Sequence, residues 1–334
     1  MTLSQTAIII KQVITISIIV IITSLAGFIG YKVWHAYYLA HLPPVEEKPD
    51  TKFGLLPLPD FDKSTVSSSN YSYSIDTVTG GLPKVGKDPG FEKLIKVYFV
   101  TKTFATLLSP ERSQNLAEKL GIIGAPHILS EIKYRFEDKN KALNVDLDTG
   151  NFTYEKTATP SGQPLDEDVK LVSDFQDMLK NLSIFKPDLA IGRNKVIHLN
   201  SGGAQISLWP ASLDNKPILT PLYNKSLVNA RVISSADNIE NYLSLNLTYY
   251  PIDTTTFATY PVKSSEQSLE DLKSGKGSVV LEPDKPQVSI TSVYLGYFLE
   301  EKYSPYLLPI FVFEGPNFAA YVPAITEQFQ TQPI

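Results

Sequence analysis

From Val13 to Tyr31 no side chain is charged, and Ile, Val, Leu, Ala and Phe dominate the run. A helix built from such a stretch has no polar face to turn toward water, which disfavours packing it on a soluble core. Roughly 20 apolar residues cross the hydrocarbon layer of a bilayer, and this run supplies them. Lys11 and Lys32 bracket it, and Tyr31, Trp34, Tyr37 and Tyr38 follow at the depth where aromatic belts sit. A cleaved signal peptide is the stronger rival, with Ser24-Leu25-Ala26 as a small-x-small cleavage site. The run outlasts the ~7–15 apolar residues of such peptides, and the residues before it are barely positive. We therefore expect a short cytoplasmic tail over 1–12 and a transmembrane helix over 13–34, touching lipid from Val13 to Tyr31. The flanking lysines nearly balance, so orientation rests on the habit of a first span behind a short tail to act as an uncleaved anchor. That places the N-terminus inside and the rest of the chain outside.

The whole chain has 30 Lys and Arg against 35 Asp and Glu, a net charge of -5. Lys11 and Lys32 are the only charged residues before position 35, so the remainder is more acidic still. An acidic body without a basic cluster neutralises phosphates poorly, so nucleic acid is not expected as a partner. With no cysteine, disulfides, thiolate metal sites, a Cys nucleophile and a lipobox anchor are all excluded.

Residues 35–70 form an expected linker: His41-Leu-Pro-Pro-Val-Glu-Glu-Lys-Pro-Asp50 is stiff and polar, and Pro and Ser persist to Asn70. Three α+β units are then expected, over 71–160, 161–255 and 256–327. In the first, Tyr71–Ile75 alternates and Ile95–Val100 reads as a strand. Ser109-Pro110 opens a helix that Gly121 closes, and Ile132–Phe136, Ala142–Leu147 and Asn151–Glu155 follow as a meander. The second opens with a helix over Asp166–Leu182, its apolar face set by Val169, Val172, Phe175, Met178, Leu179 and Leu182. Strands are expected at Val196–Leu199, Gln205–Trp209, Ala230–Ser234 and Tyr242–Tyr249, the last with Leu243, Leu245 and Leu247 inward. The third begins at a capping box, Ser264-x-x-Gln267, with Leu269 and Leu272 inward and Gly275 at the helix end. Val288–Leu299, Tyr306–Phe313 and Phe318–Ala324 complete it. A helix followed by a three-strand meander thus stands near both ends, the outline of a degenerate duplication. The expected class is α+β with antiparallel sheets.

Three short motifs of penicillin-recognising serine enzymes occur in order: Ser183-x-x-Lys186, Ser244-x-Asn246 and Lys273-Ser-Gly275. That chemistry needs the serine at a helix N-terminus with lysine one turn on. Pro187 disfavours helix at Lys186, and Lys273 lies at a helix end, so chance is the better account. A second pair, Ser130-x-x-Lys133, enters a strand. The histidines, His35, His41, His127 and His198, show no zinc spacing. Asp146-x-Asp148-x-Gly150 resembles the start of a calcium loop but lacks the distal Glu, and reads as a hairpin turn. Ser201-Gly-Gly203 lacks the lysine and helix of a phosphate loop and also reads as a turn. Five Asn-x-Ser/Thr sites (Asn70, Asn151, Asn181, Asn224, Asn246) matter only in a eukaryotic secretory protein. No catalytic, cofactor or metal residue is assigned from the sequence.

Ser268-Leu-Glu-Asp-Leu-Lys-Ser-Gly275, Ile290–Tyr297, Tyr306–Phe313 and Ala320–Ile325 together resemble the closing repeat of YycH/YycI-type accessory proteins, single-span envelope regulators of a cell-wall sensor kinase. The helix–meander units look like PepSY-type modules. Tyr73–Pro83 with Ala117–Gly121 is similar to uncharacterised single-span envelope proteins of candidate-phylum bacteria. The resemblance follows apolar positions, so it implies a non-enzymatic envelope role and transfers no site. The expectation is a non-catalytic, membrane-anchored module that binds an envelope protein partner, without cofactor. Exposed aromatics such as Tyr294, Tyr297, Tyr303 and Tyr306 are candidate contacts, although sheet packing explains them too. The alternative is a tethered hydrolase acting on cell wall or peptide.

Overall fold

The structure, a computed structural model, describes residues 3–40, 48–61, 65–158, 164–200 and 202–331. The chain divides into two units between Lys48 and Pro49. Residues 41–47 of the expected linker, with His41, lie outside the described residues, as does Ser201.

The first unit is one helix, α1 (Leu3–Ala40). Its stretch Ile14–Tyr38 is long and apolar enough to cross a membrane, and no side chain there is buried. At 1.5 Å per residue those 25 residues extend about 37 Å, past the ~30 Å of hydrocarbon. Near its end the Trp34 and Tyr38 rings stack at 5.8 Å.

The second unit holds two large hydrophobic cores and a smaller third cluster of Leu219, Phe298, Ile310, Val312 and Tyr321. The first lies under an eight-stranded antiparallel sheet in the order β3-β4-β5-β6-β11-β10-β8-β7. Its strands are β3 (His127–Ser130), β4 (Lys133–Asp138), β5 (Lys141–Asp146), β6 (Phe152–Lys156), β7 (Asn194–His198), β8 (Ala204–Leu208), β10 (Val228–Val232) and β11 (Tyr242–Leu247). Helix α2 (Ser109–Lys119) precedes β3, and α3 (Asp168–Asn181) precedes β7. The sheet is thus two helix-plus-four-strand runs meeting at β6 and β11, where Phe152 faces Leu247 and Tyr154 faces Leu245. Glu240 sits across this seam and binds Lys141 at 2.7 Å and Lys156 at 2.5 Å.

The second sheet orders β12-β2-β16-β15-β9, with β17 on β16 and β13 on β17. Its strands are β2 (Leu94–Val100), β9 (Ile218–Leu219), β12 (Ile252–Pro261), β13 (Ser278–Leu281), β15 (Ser292–Phe298), β16 (Tyr306–Gly315) and β17 (Phe318–Pro323). A separate parallel pair joins β1 (Ser72–Ile75) to β14 (Gln287–Ile290). Helix α4 (Ser265–Lys273) covers β17. Ser264 caps it by accepting from Gln267 N at 3.1 Å, while the Gln267 side chain reaches forward to Asp271 instead of back.

Several expectations need correction. Helix α2 starts one residue earlier than expected: Leu108 is its cap, and Ser109 Oγ closes a turn by accepting from Thr106 N at 2.9 Å. On α3 the buried stripe begins at Leu171, and Val169 is 82% exposed. In β11 a bulge opposite Arg231 and Val232 makes Tyr242 the inward residue where alternation selects Leu243. The strand expected over 288–299 breaks at Thr291, whose N–H turns to Glu314 O at 2.8 Å. The sheets also cross the expected unit boundaries, since β1 and β2 pair with strands of the last third. After α4, β13 pairs with β17 and β14 with β1 before the meander β15–β17 begins. The order following α4 therefore differs from that following α2.

Two charged clusters generate predictions. Lys263 and Asp271 pair at 2.6 Å with side chains 6% and 3% exposed, pinning α4 to the end of β12. Truncating Asp271 strands a buried ammonium, so Asp271→Ala should cost about 3–5 kcal/mol in denaturant unfolding. At the seam, hydrogen bonds from Lys141 and Lys156 hold the Glu240 carboxyl at about 2. A depressed carboxylate stabilises the fold above its unfolded value, near 4.3, and loses that contribution as pH falls toward 2. Glu240→Gln should therefore lower stability at pH 7 and flatten the acid limb between those values, measured by chemical denaturation across pH.

Candidate functional site

A cleft of about 970 Å³ opens at one end of the β6–β11 seam. It draws on four separated stretches. From α2 come Ser109, Arg112, Ser113, Leu116 and Lys119, one stripe at three-to-four spacing, flanked by Asn115 and Glu118, with Phe104 at the rim just before the helix. The β5–β6 turn contributes Asp146 to Asn151, the end of α3 gives Leu182 to Ile184 with Lys186, and β11 ends in Leu247 and Tyr249. Leu116, Val145, Leu182 and Leu247 make an apolar floor continuous with the core.

Each wall has a local cause. Asp146 Oδ1 accepts from Asp148 N and Thr149 N, both at 3.0 Å, and from Thr149 Oγ1 at 3.1 Å. Gly150 at φ 73° completes the turn, so the calcium-like residues act as an Asx turn. Asp148 Oδ1 accepts from Ala105 N at 2.8 Å and holds the stretch before α2 over the cleft. Asn151 Oδ1 accepts from Tyr249 N at 2.9 Å, extending the seam beyond the strands. The Tyr249 hydroxyl donates to Asp188 at 3.0 Å. Burial first, then the Asp188 charge and hydrogen bond, push that phenol upward.

Ser183 lies on the rim at φ 63°, just past the end of α3. Ser183 N donates to Lys180 O at 2.8 Å and Ile184 N to Leu179 O at 3.0 Å, the double closure of a Schellman turn. Serine here fills a left-handed position that glycine usually takes. Its hydroxyl accepts from Lys119 Nζ at 3.1 Å, and the same ammonium donates to Asn181 O at 3.0 Å. Lys119 is exposed and placed as a donor to two oxygens, with no carboxylate ion-paired to it among the described residues.

The penicillin-enzyme motifs do not converge. Ser183 and Lys186 share the cleft, with Lys186 Nζ 5.3 Å from the Tyr249 ring centre. Ser244 faces Glu155 and Arg231 within the eight-stranded sheet. Lys273 ends α4 over the other core and pairs with Glu270 at 2.8 Å. Ser130 and Lys133 face each other across the β3–β4 turn, because a strand that the pattern did not indicate, β3, pairs with β4 there. His198 contacts Asp168 at 2.8 Å with both side chains over half exposed, and His127 lies on edge strand β3. No group of three metal-ligating side chains occurs among the described residues. Gly202 and Gly203, at φ 84° and 89°, form the β7–β8 turn.

The candidate tyrosines divide. Tyr297 is fully buried and donates to Lys96 O at 3.1 Å, and Tyr294 donates to Glu314. Tyr303 and Tyr306 stay half-buried, the former donating to Val100 O at 3.0 Å. The cleft itself escaped sequence reasoning, since the one trace in the sequence is the polar stripe of α2. No protein-family model matches the chain, and no curated protein matches it.

If Ser183 serves as a helix terminator, Ser183→Gly should stabilise the body by about 0.5–1 kcal/mol in urea unfolding, through relief of left-handed strain.

Proposed function

We propose that the chain is a non-catalytic membrane-anchored module whose body faces outside the cell and binds an envelope protein through the cleft. The observation that carries this reading is the chemistry of the lining. Among the described residues Arg112, Lys119 and Lys186 make no ion pair with a carboxylate, while Asp146 and Asp148 are engaged by the protein's own backbone N–H groups and Glu118 accepts from Gln114. Cations without a carboxylate partner over an apolar floor suit an extended peptide, which offers carbonyl oxygens and side chains together. The apolar helix supports a single-pass membrane anchor. The resemblance of residues 268–325 to YycH/YycI-type regulators supports a regulatory or scaffolding role.

A photocrosslinker at Asn115, an exposed residue of the cleft lining, with capture through a C-terminal tag and external protease digestion of the same intact cells, tests the proposal. One defined membrane partner, lost in an Arg112→Ala/Lys186→Ala variant that still folds, is the expected result. A tag protected from protease, or capture unchanged in that variant, would overturn the orientation or the site respectively.

The contact between Ser183 Oγ and Lys119 Nζ favours one second reading, a tethered hydrolase. It requires covalent labelling by a fluorophosphonate that Ser183→Ala abolishes. The binding reading expects no label at Ser183, because Lys119 is placed to donate to that hydroxyl.

A further inference from the structure

The stretch leading from β2 into α2 leaves three apolar side chains in solvent. Phe104 is 67% exposed, Leu107 100% and Leu108 53%. This tip is held firmly: Thr101 N donates to Pro251 O at 2.8 Å, Ala105 N to Asp148 at 2.8 Å and Thr106 N to Ser109 at 2.9 Å. Fixed in this way, it cannot fold its leucines back into either core. No residue from Thr103 to Pro110 is charged. At its base Lys102 Nζ lies 5.3 Å from the Phe104 ring and 5.8 Å from the Tyr303 ring.

The course of the chain indicates what covers the tip. The body begins at Pro49, and its first residues dock beside the base of the tip. The Phe53 ring lies 5.0 Å from that of Tyr306, which pairs with Phe99, five residues before Phe104. Lys52 Nζ lies 5.8 Å from the Phe53 ring centre. Lysines laid over aromatic rings therefore occur both where the chain enters the body and at the base of the tip. Amphipathic aromatics with long cationic side chains are what the headgroup region of a bilayer selects. Only residues 39–48 separate Tyr38, the end of the apolar stretch, from Pro49. Fully extended, the eleven steps from Tyr38 to Pro49 reach at most about 40 Å, a tether short enough to hold the body near the bilayer surface.

We propose that Phe104, Leu107 and Leu108 insert into the interfacial layer of the bilayer that Ile14–Tyr38 spans, giving the body a second membrane contact. The inference rests on reading that helix as a span; Phe104 also edges the cleft, so Leu107 and Leu108, which do not line it, carry the part that is independent of the cleft's ligand. Because the chain has no cysteine, single-cysteine probes report one position each. Full-length Leu107→Cys, Ile191→Cys and Ile22→Cys, each carrying an environment-sensitive fluorophore, would be reconstituted in phosphatidylethanolamine–phosphatidylglycerol vesicles containing spin-labelled lipid. Ile191 is 81% exposed and serves as a control elsewhere on the body. Quenching at 107 should exceed that at 191 by at least about twofold, as shallow burial of an apolar tip requires. Equal quenching at 107 and 191, weak or strong, overturns the proposal. So does a probe at 107 shielded from aqueous quencher but untouched by lipid quencher, which would mark a protein partner instead. The probe at 22 reports the span separately, so its failure is distinguishable from failure of the tip.

Discussion

The body depends on the short seam between β6 and β11. Four residue pairs join two helix-plus-four-strand runs there into one sheet. Without the seam each run ends in an unpaired edge and a half-covered helix. Tyr154 and Leu245 are fully buried against each other, so the pairing carries apolar burial as well as backbone hydrogen bonds. The Glu240 bridge to Lys141 and Lys156 reinforces it from the second run to the first. The cleft is a consequence of this join. At the far end of the seam the strands stop, α2 and the residues after α3 line the cleft, and Asn151 ties down Tyr249 at its edge.

Beyond the connections from β2 to α2 and from β11 to β12, the second core is bound to the first by an excursion of the chain. Between β8 and β10 the chain leaves the eight-stranded sheet, adds β9 beside β15, and returns. Asp214 and Asn215 hold positive φ at its tip, a turn that short polar side chains tolerate. Asp214 accepts from the Tyr98 hydroxyl at 2.5 Å and from Lys96 at 3.2 Å, and Lys216 pairs with Glu92 at 2.8 Å. At the excursion's start Trp209 is 1% exposed and donates to Thr220 at 3.1 Å. Gly192 beneath it has no room for a side chain, since an added Cβ would lie 1.9 Å from Trp209 O. Loop residues here do the work of a domain interface.

Elements with strong local signals were legible from residues alone. The α3 region declared itself through Phe175, Met178, Leu179 and Leu182, and α4 through the Ser264 cap and Gly275 at φ 84°. Elements whose reason lies in a distant partner were missed. Strand β9 is two residues long and exists only because β15 offers an edge. Strand β12 contains Thr254 to Thr256, a turn-like run capped by Asp253, and pairs with β2 across a register shift. In β11 the bulge overrode a clean alternation, because bulges are set by the neighbouring strand and leave little trace in the bulged one.

The sequence by itself determined the apolar helix, the α+β class, the antiparallel pattern and the lack of thiol chemistry, because these follow from composition and local periodicity. Which strands pair, and hence where the cleft opens, was decided only in three dimensions. Residues 71–100 read as part of a first unit but lie with the last third, since a half-buried strand carries its face in its sequence and not its partner's identity. The cleft gathers Arg112, Asp148, Ser183 and Tyr249 from positions up to 137 residues apart. No local pattern links them, because their proximity is made by the β6–β11 seam.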